Sequence, residues 1–366
     1  MDIDDVLGLH VLRHAQDQLA QVQQRQQHPK TFKKRIDPRT VMTDAEFKRH
    51  FRFSKESVGR LTDMLHDDLV FETNRGLPVP PLQSVCIALN HYSGGNFQRI
   101  SGWCAGVSQN AARLCLVRVT EALIRRKSEF ITMPSVAQME ETSQRMFEKF
   151  KLPRFACAVD GMQVPFSDAP RNIPANKTKQ MFWCRKQFYS LNTQVVANDQ
   201  LIYDIDCGWP GSTHDARVWM RSEVKRFLEQ QRRFFIAGDS GYPISEILMK
   251  PYPVPEAAQD GRKRLFNKRI SGLRTVMSEC IYGVWKRRFP IMKGMRTDLE
   301  MSQKVIIATG VLFNISRLWG DEDIEDDDEE DNDEEDDDNF VVQDAAAATI
   351  RLRGQVERER LKDRMP

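Results

Sequence analysis

Long apolar runs are missing from this 366-residue sequence. No stretch approaches the roughly 20 consecutive residues that a membrane-spanning helix needs, so no membrane role is expected. Paired cysteines are missing as well. The seven cysteines, at 86, 104, 115, 157, 184, 207 and 280, stand singly. An odd count without any CxxC pair argues against a disulfide framework or a zinc site. They read as reduced thiols, mostly core, in a cytosolic or nuclear protein. The first residues, MDIDDVLGLHVLRHAQDQL, are acidic and then mixed, unlike a secretory signal. With 40% hydrophobic and 29% charged residues, the chain has the makings of one large globular domain plus a smaller one.

Near-neutrality is only apparent. The net charge of +2 averages two unlike pieces, because residues 321–338 hold 16 acidic side chains and no basic one. Setting them aside leaves 54 basic residues against 36 acidic ones, a body of about +18. A body that basic attracts polyanions, of which nucleic acids are the commonest.

Four regions are expected. Residues 1–45 form a polar arm, Gln-rich and then basic. Its cluster Lys30, Lys33, Lys34 and Arg35 reads as a nuclear-import signal, a phosphate-contacting arm or a solvated linker. Residues 46–135 are helical in pattern, with Ser54 placed to cap one helix and Ser108 another. A helix, a turn around Gly106 and a longer helix follow the layout of a helix-turn-helix. Arg113 and Arg118 lie on its second helix. Residues 136–320 change period: apolar or alternating runs at 155–159, 189–197, 201–207 and 234–237 read as strands, with helices at 212–229, 274–289 and 302–318. Such a succession makes a mixed α/β layer. Residues 321–366 are the acidic run, expected to be disordered because like charges repel and bury little, and then a short charged helix.

The candidate chemistry lies in carboxylates. Two-metal phosphodiester cleavage needs acidic ligands from separate elements, and hard ions such as magnesium prefer oxygen donors. Asp160 ends the apolar run FACAVD and precedes Gly161; Asp239 ends FFIAGD and precedes Ser240-Gly241. Glu279 borders the apolar face of the helix RTVMSECIYGVWKRRF, with Gly283 one turn on and Lys286 and Arg287 beyond. A glycine inside a helix costs about 1 kcal/mol relative to alanine, which argues for a reason such as close approach of a metal or DNA backbone. Asp215 competes for the second position, but Ser212 and Asp215 have capping-box spacing, which assigns Asp215 a supporting role. His214 beside it reads as a hydrogen-bonding residue or a general base.

On these residues the chain resembles the PIF/Harbinger superfamily of transposases. AVDGMQVP resembles the block carrying the family's first aspartate. WCRKQFYSLNTQVV, WPGSTHDARVW and GDSGYP follow in family order, and FNKRISGLRTVMSECIYGVWKRRF resembles the glutamate-bearing helix. Five such blocks in order span roughly 130 residues. The resemblance implies a DDE-type, ribonuclease-H-like mixed sheet flanked by helices, preceded by the helix-turn-helix-like domain. It implies catalytic, metal-holding roles for Asp160, Asp239 and Glu279, with Mg2+ or Mn2+ as cofactor and DNA as substrate. Arg185, Lys186, Lys286, Arg287, Arg113 and Arg118 become the expected DNA contacts. Action in the nucleus follows, with the cytoplasm as a second compartment. A separate Myb/SANT-like partner supplying specific DNA binding is implied too, and self-association is left open. The sequence departs from the family at Met162-Gln163, where Thr-His is usual, and around Ser278 and Cys280-Ile281-Tyr282. The alternative expectation is a domesticated protein that binds DNA or chromatin on the same scaffold without cutting, or a ribonuclease.

Overall fold

The structure, a computed structural model, describes residues 35–73, 76–95, 101–102, 105–321 and 345–366, with only the backbone given for 277–279 and 345–346. Lys30, Lys33, Lys34 and the expected disorder of the acidic run beyond Asp321 lie outside the described residues.

The amino-terminal half is helical because apolar residues recur at helical spacing and polar side chains close the helix starts. Helices α1 (Asp44–Phe51) and α2 (Lys55–Met64) are capped by Thr43 and Ser54, whose hydroxyls accept from the amides of Glu46 and Ser57. Helix α3 (Pro81–Gly94) begins with its proline at the first turn, where a missing N–H costs nothing. Helix α4 (Gln109–Arg125) starts at the Ser108 cap as expected, just after Gly106 turns the chain at φ +69°. Helix α5 (Val136–Phe150) leads into the sheet.

Strand β1 (Phe155–Pro165) pairs antiparallel with β2 (Ser190–Ala197), and β2 pairs antiparallel with β3 (Ile202–Pro210). The hairpin turn between β2 and β3 is closed by the Asn198 side chain, which accepts from the amides of Gln200 and Leu201. After α6 (Asp215–Trp219) and α7 (Glu223–Gln231), strand β4 (Phe235–Ala237) runs parallel to β1, and the short β5 (Leu248–Met249) runs parallel to β4. The sheet order is therefore β3-β2-β1-β4-β5, three antiparallel strands continued by two parallel ones. With helices on both faces this is a ribonuclease-H-like mixed sheet.

Alternation along the strands divides the core. Leu191, Val195 and Ala197 join the larger cluster, whereas Val196 faces a smaller one with Val159, Trp219, Tyr242 and Leu248. Helices α8 (Val254–Gln259), α9 (Gly261–Met277) and α10 (Val284–Arg288) follow β5, with a π turn (Ser278–Gly283) between α9 and α10. The long α11 (Leu299–Leu318) is mostly buried. Its Asn314 pins the sheet: the side-chain oxygen accepts from the Ile202 amide while the nitrogen donates to the Ile202 and Phe130 carbonyls.

The larger cluster runs without a break from Phe47, Leu61 and Leu123 to Trp285 and Phe313, so the helical half and the sheet half share one interior. Asp321, first of the acidic run, is buried against the helical half, accepting from the Ser54 amide and lying 3.8 Å from the Lys48 ammonium. Helix α12 (Ala345–Arg364) packs Leu361, and Met365 just after it, into the same interior. Its Arg358 lies 3.8 Å over the Tyr252 ring and donates to the Lys250 and Pro251 carbonyls.

Among the described residues no helix is long and apolar enough to cross a membrane, and the six described cysteines are free. Two expectations are corrected. The helix expected over 212–229 is two short ones, because the chain turns at Arg221 and Ser222, whose amides donate to Val218 and Trp219. Strand β1 does not stop at Asp160 but continues to Pro165, since the antiparallel ladder with β2 carries on past the point where β4 ends.

Candidate active site

The parallel ladder fixes the first two carboxylates. Ala158 of β1 pairs with Ala237 of β4, the last residue of that strand. Asp160 and Asp239 each follow two residues later, so they stand side by side just beyond the end of β4. Asp160 accepts a hydrogen bond from the Gly161 amide at 3.0 Å, and Asp239 accepts one from the Gly241 amide at 3.0 Å. The turn after Asp239 is held by Lys250, whose ammonium donates to the Ser240 carbonyl at 2.6 Å.

Burial dominates the electrostatics of Asp160. It pushes the carboxyl up to about 7, Arg274 draws it back, and the negative charges of Asp239 and Asp215 add to the rise. Asp215 is raised by burial as well; its hydrogen bond with Asn192 opposes this, Asp239 reinforces it, and His214 and Arg185 oppose it. Tyr242 and Tyr282, both fully enclosed, are raised by burial and by the fields of these aspartates. Crowding three carboxylates and two phenols into one low-dielectric pocket is costly unless positive charge compensates.

Asp215 does not cap its helix. It is the first residue of α6, whose start has no side-chain cap, and its Oδ1 accepts from the Asn192 side-chain amide at 2.6 Å. The same Asn192 nitrogen donates to the Thr213 carbonyl at 2.8 Å, so one strand side chain fixes both the turn and the acid. The capping-box expectation is therefore corrected: β2 offers a better donor than the local backbone. Its carboxylate occupies the space beside Gly161 where any Cβ would collide with it. His214 precedes it, with its ring edge 3.6 Å from the position a Gly241 side chain would take.

The helix bearing Glu279 is tied to the first aspartate through the backbone. Tyr282 donates its phenolic hydrogen to the Asp160 carbonyl at 2.9 Å. Glu279 lies in the π turn, an insertion that re-aims a helix locally and recurs at functional sites. The widened turn leaves the Cys280 carbonyl to accept from Arg317 at 3.0 Å. Gly283 is the last residue of this turn. Among the described side chains, which stop short of Glu279, no three His, Cys, Asp or Glu come close enough together to hold a metal ion. Asp215 crowds Asp160 and Asp239 electrostatically.

The expected DNA contacts separate into two kinds. Arg185 and Lys186 are exposed at the tip of the hairpin between Cys184 and Phe188, and the charge of Arg185 reaches Asp215. Arg287 is exposed and Lys286 half-buried on α10, directly after the π turn. Arg113 is exposed on α4. Arg118 is different: it donates to the Asp68 and Val70 carbonyls and lies 3.9 Å over the Phe71 ring, a structural clasp rather than an outward-facing contact. Arg35 is similarly engaged, donating to the Leu77 and Pro78 carbonyls at 2.8 Å. Sequence reasoning missed Asn192, Arg274, Tyr242 and Tyr282. The GDSGYP block contains Tyr242, but nothing in the sequence says that its ring turns inward.

Residues 159–314 match the family described as DDE superfamily endonuclease. The mouse protein named "Putative nuclease HARBI1" is 28% identical over 283 residues, covering 75% of this chain and 78% of its own. The Arabidopsis thaliana "Protein ALP1-like" is 24% identical over 315 residues, covering 79% of this chain and 73% of its own. A chain of the pre-cleavage Mos1 transpososome aligns at 14% identity over 70% of this chain and 84% of its own, with a TM-score of 0.18, too low to carry an argument.

Proposed function

We propose that this chain, which carries a DDE superfamily endonuclease domain of the PIF/Harbinger kind over residues 159–314, cuts DNA with Asp160, Asp239 and Glu279 as its three acids. The observation that supports this most is the matched register of Asp160 and Asp239 on adjacent parallel strands, with the Glu279 helix tied to the Asp160 carbonyl by Tyr282.

The donor set fits a divalent ion. Carboxylate oxygens suit hard cations, and Asp160, pushed up to about 7 by burial and by Asp239 and Asp215, is a group whose ionised form a cation would stabilise. The three acids would hold magnesium or manganese. When bound, such ions activate the attacking oxygen and stabilise the leaving one.

The remaining roles belong to the chain itself. Asn192 and Gly161 position Asp215 as a neighbour that holds negative potential around the site without joining the ligands. Arg185, Lys186, Lys286, Arg287 and Arg113 contact phosphates, which orients the backbone toward the acids. Action is in the nucleus, where the DNA is, and a Myb/SANT-like partner supplies sequence choice.

The test is nicking of supercoiled plasmid by the purified full-length protein with magnesium or manganese, beside Asp160→Asn, with and without a Myb/SANT-like partner. Nicking by the parent alone supports the mechanism. Equal nicking by both proteins removes it, and binding without nicking in every condition marks a non-cleaving DNA-binding protein.

A further inference from the structure

Trp183 is an exposed aromatic on the hairpin that leads into β2. Among the described tryptophans it alone is exposed, at 46% of its surface, although Trp219 and Trp285 are wholly buried. Its backbone bridges Tyr189 in an antiparallel pair, and their rings meet edge to face with centroids 4.9 Å apart and planes at 78°. The hairpin is closed by the Cys184 amide donating to the Phe188 carbonyl at 2.9 Å and the Gln187 amide to the Cys184 carbonyl at 3.1 Å. Phe182 and Cys184, on either side of Trp183, are buried and anchor the hairpin. The indole is thus braced on one side by Tyr189 rather than folded into the interior.

Its position relative to the acids is fixed by the backbone. The Ser212 amide donates to the Met181 carbonyl at 3.1 Å, which joins the base of this hairpin to the turn leading into Asp215. The cationic tip follows within three residues, Arg185 and Lys186 both exposed, with the Arg185 charge felt at Asp215. A braced aromatic beside exposed cations is the arrangement that binds unpaired strands, the base stacking on the ring while the phosphates meet the charges. Aromatic stacking serves any base, because every base has a π face.

We infer that Trp183 is a stacking platform for an unpaired nucleobase of the DNA strand engaged at the Asp160–Asp239 pair, making it a positioning residue for frayed or single-stranded substrate. The inference rests on the DNA-cutting function proposed above, and the experiment separates the two.

In an Asp160→Asn background, binding of a fluorescein-labelled single-stranded oligonucleotide is followed by anisotropy. Base stacking is followed in parallel by quenching of 2-aminopurine placed along the same strand. Trp183→Ala should weaken single-strand binding by about tenfold and lose the quenching at one register, with duplex binding much less affected. Trp183→Phe and Trp183→Tyr should restore much of both. Because the side chain is exposed, all variants should melt together with the background protein, and Trp183→Phe controls for any loss of fold. If Trp183→Ala binds and quenches like its background, the platform is wrong while DNA binding stands. If the background protein binds neither form of DNA, the DNA-cutting function falls, and the platform with it.

Discussion

Asp160 and Asp239 stand at the same step of neighbouring parallel strands, each two residues past the paired Ala158 and Ala237. A shift of one residue in either strand would turn one acid to the opposite face of the sheet, so the site depends on the β1–β4 register. Substituting either acid by asparagine keeps the side-chain volume and removes the charge. Plasmid nicking should then drop to background for Asp160→Asn, Asp239→Asn and Glu279→Gln. Asp215→Asn, outside the ligand set, should retain activity at a level lowered by about 10- to 100-fold, the usual effect of losing a supporting group around a metal site. Single-turnover nicking rates for the four variants check this, and full loss in Asp215→Asn would make it a direct ligand.

The raised carboxyl of Asp160 makes metal-free stability depend on pH. Folding lifts this group from 3.8 to about 7, mainly through burial, so the native state binds its proton more tightly than the unfolded chain does. Stability from this group is then fullest below about pH 4 and is lost as the pH rises toward about 7, by roughly 2–4 kcal/mol at about 1.4 kcal/mol per unit. Asp160→Asn should therefore be more stable than the parent at pH 8 in EDTA, with the gap closing as the pH falls toward 4. Thermal melting across that range measures it. A gap that does not change with pH would show that Asp160 is not held up. Magnesium or manganese should narrow the gap at pH 8 by binding the native parent.

Gly161 and Asp215 form a second tight relationship. Because a Cβ at 161 would collide with the Asp215 carboxylate, Gly161→Ala should destabilise by about 1–3 kcal/mol, the usual cost of overpacking. Combining it with Asp215→Ala should recover part of that loss, since the two changes share one contact. Urea unfolding of the two single variants and the double variant gives the coupling, and strictly additive losses would place the strain elsewhere.

Much of this arrangement was legible in the sequence, and the failures have physical causes. The strand pattern and the Ser108 cap could be read because each is set by neighbours within a few residues. Asp160 was expected at a strand end because the apolar run FACAVD stops there; in the fold, β2 supplies a ladder that carries β1 four residues past Gly161. Ser212 and Asp215 have the spacing of a capping box, but Asn192, 23 residues away from Asp215 in sequence, takes the acid instead. The π turn at Ser278–Gly283 left no mark in a 3.6-residue pattern, since the apolar positions around it still recur every three to four residues as in an ordinary helix. Long-range partners and local insertions are what periodicity does not record.

The cationic residues provide the last separation. Arg118 holds the Asp68 and Val70 carbonyls and covers the Phe71 ring, and Arg185 is exposed with its charge acting on Asp215. Arg118→Ala should lower stability by roughly 1–2 kcal/mol, because partly buried carbonyls lose a charged donor and a ring loses its cover. The slope of log affinity for duplex DNA against log salt should stay unchanged. Arg185→Ala should leave stability within about 0.5 kcal/mol, as surface changes do. It should weaken DNA binding and reduce the salt slope by about 1, one phosphate contact fewer. Urea titrations paired with anisotropy at four or more salt concentrations distinguish the two effects. If Arg118→Ala shallows the slope as Arg185→Ala does, the clasp opens on binding and α4 meets the DNA after all.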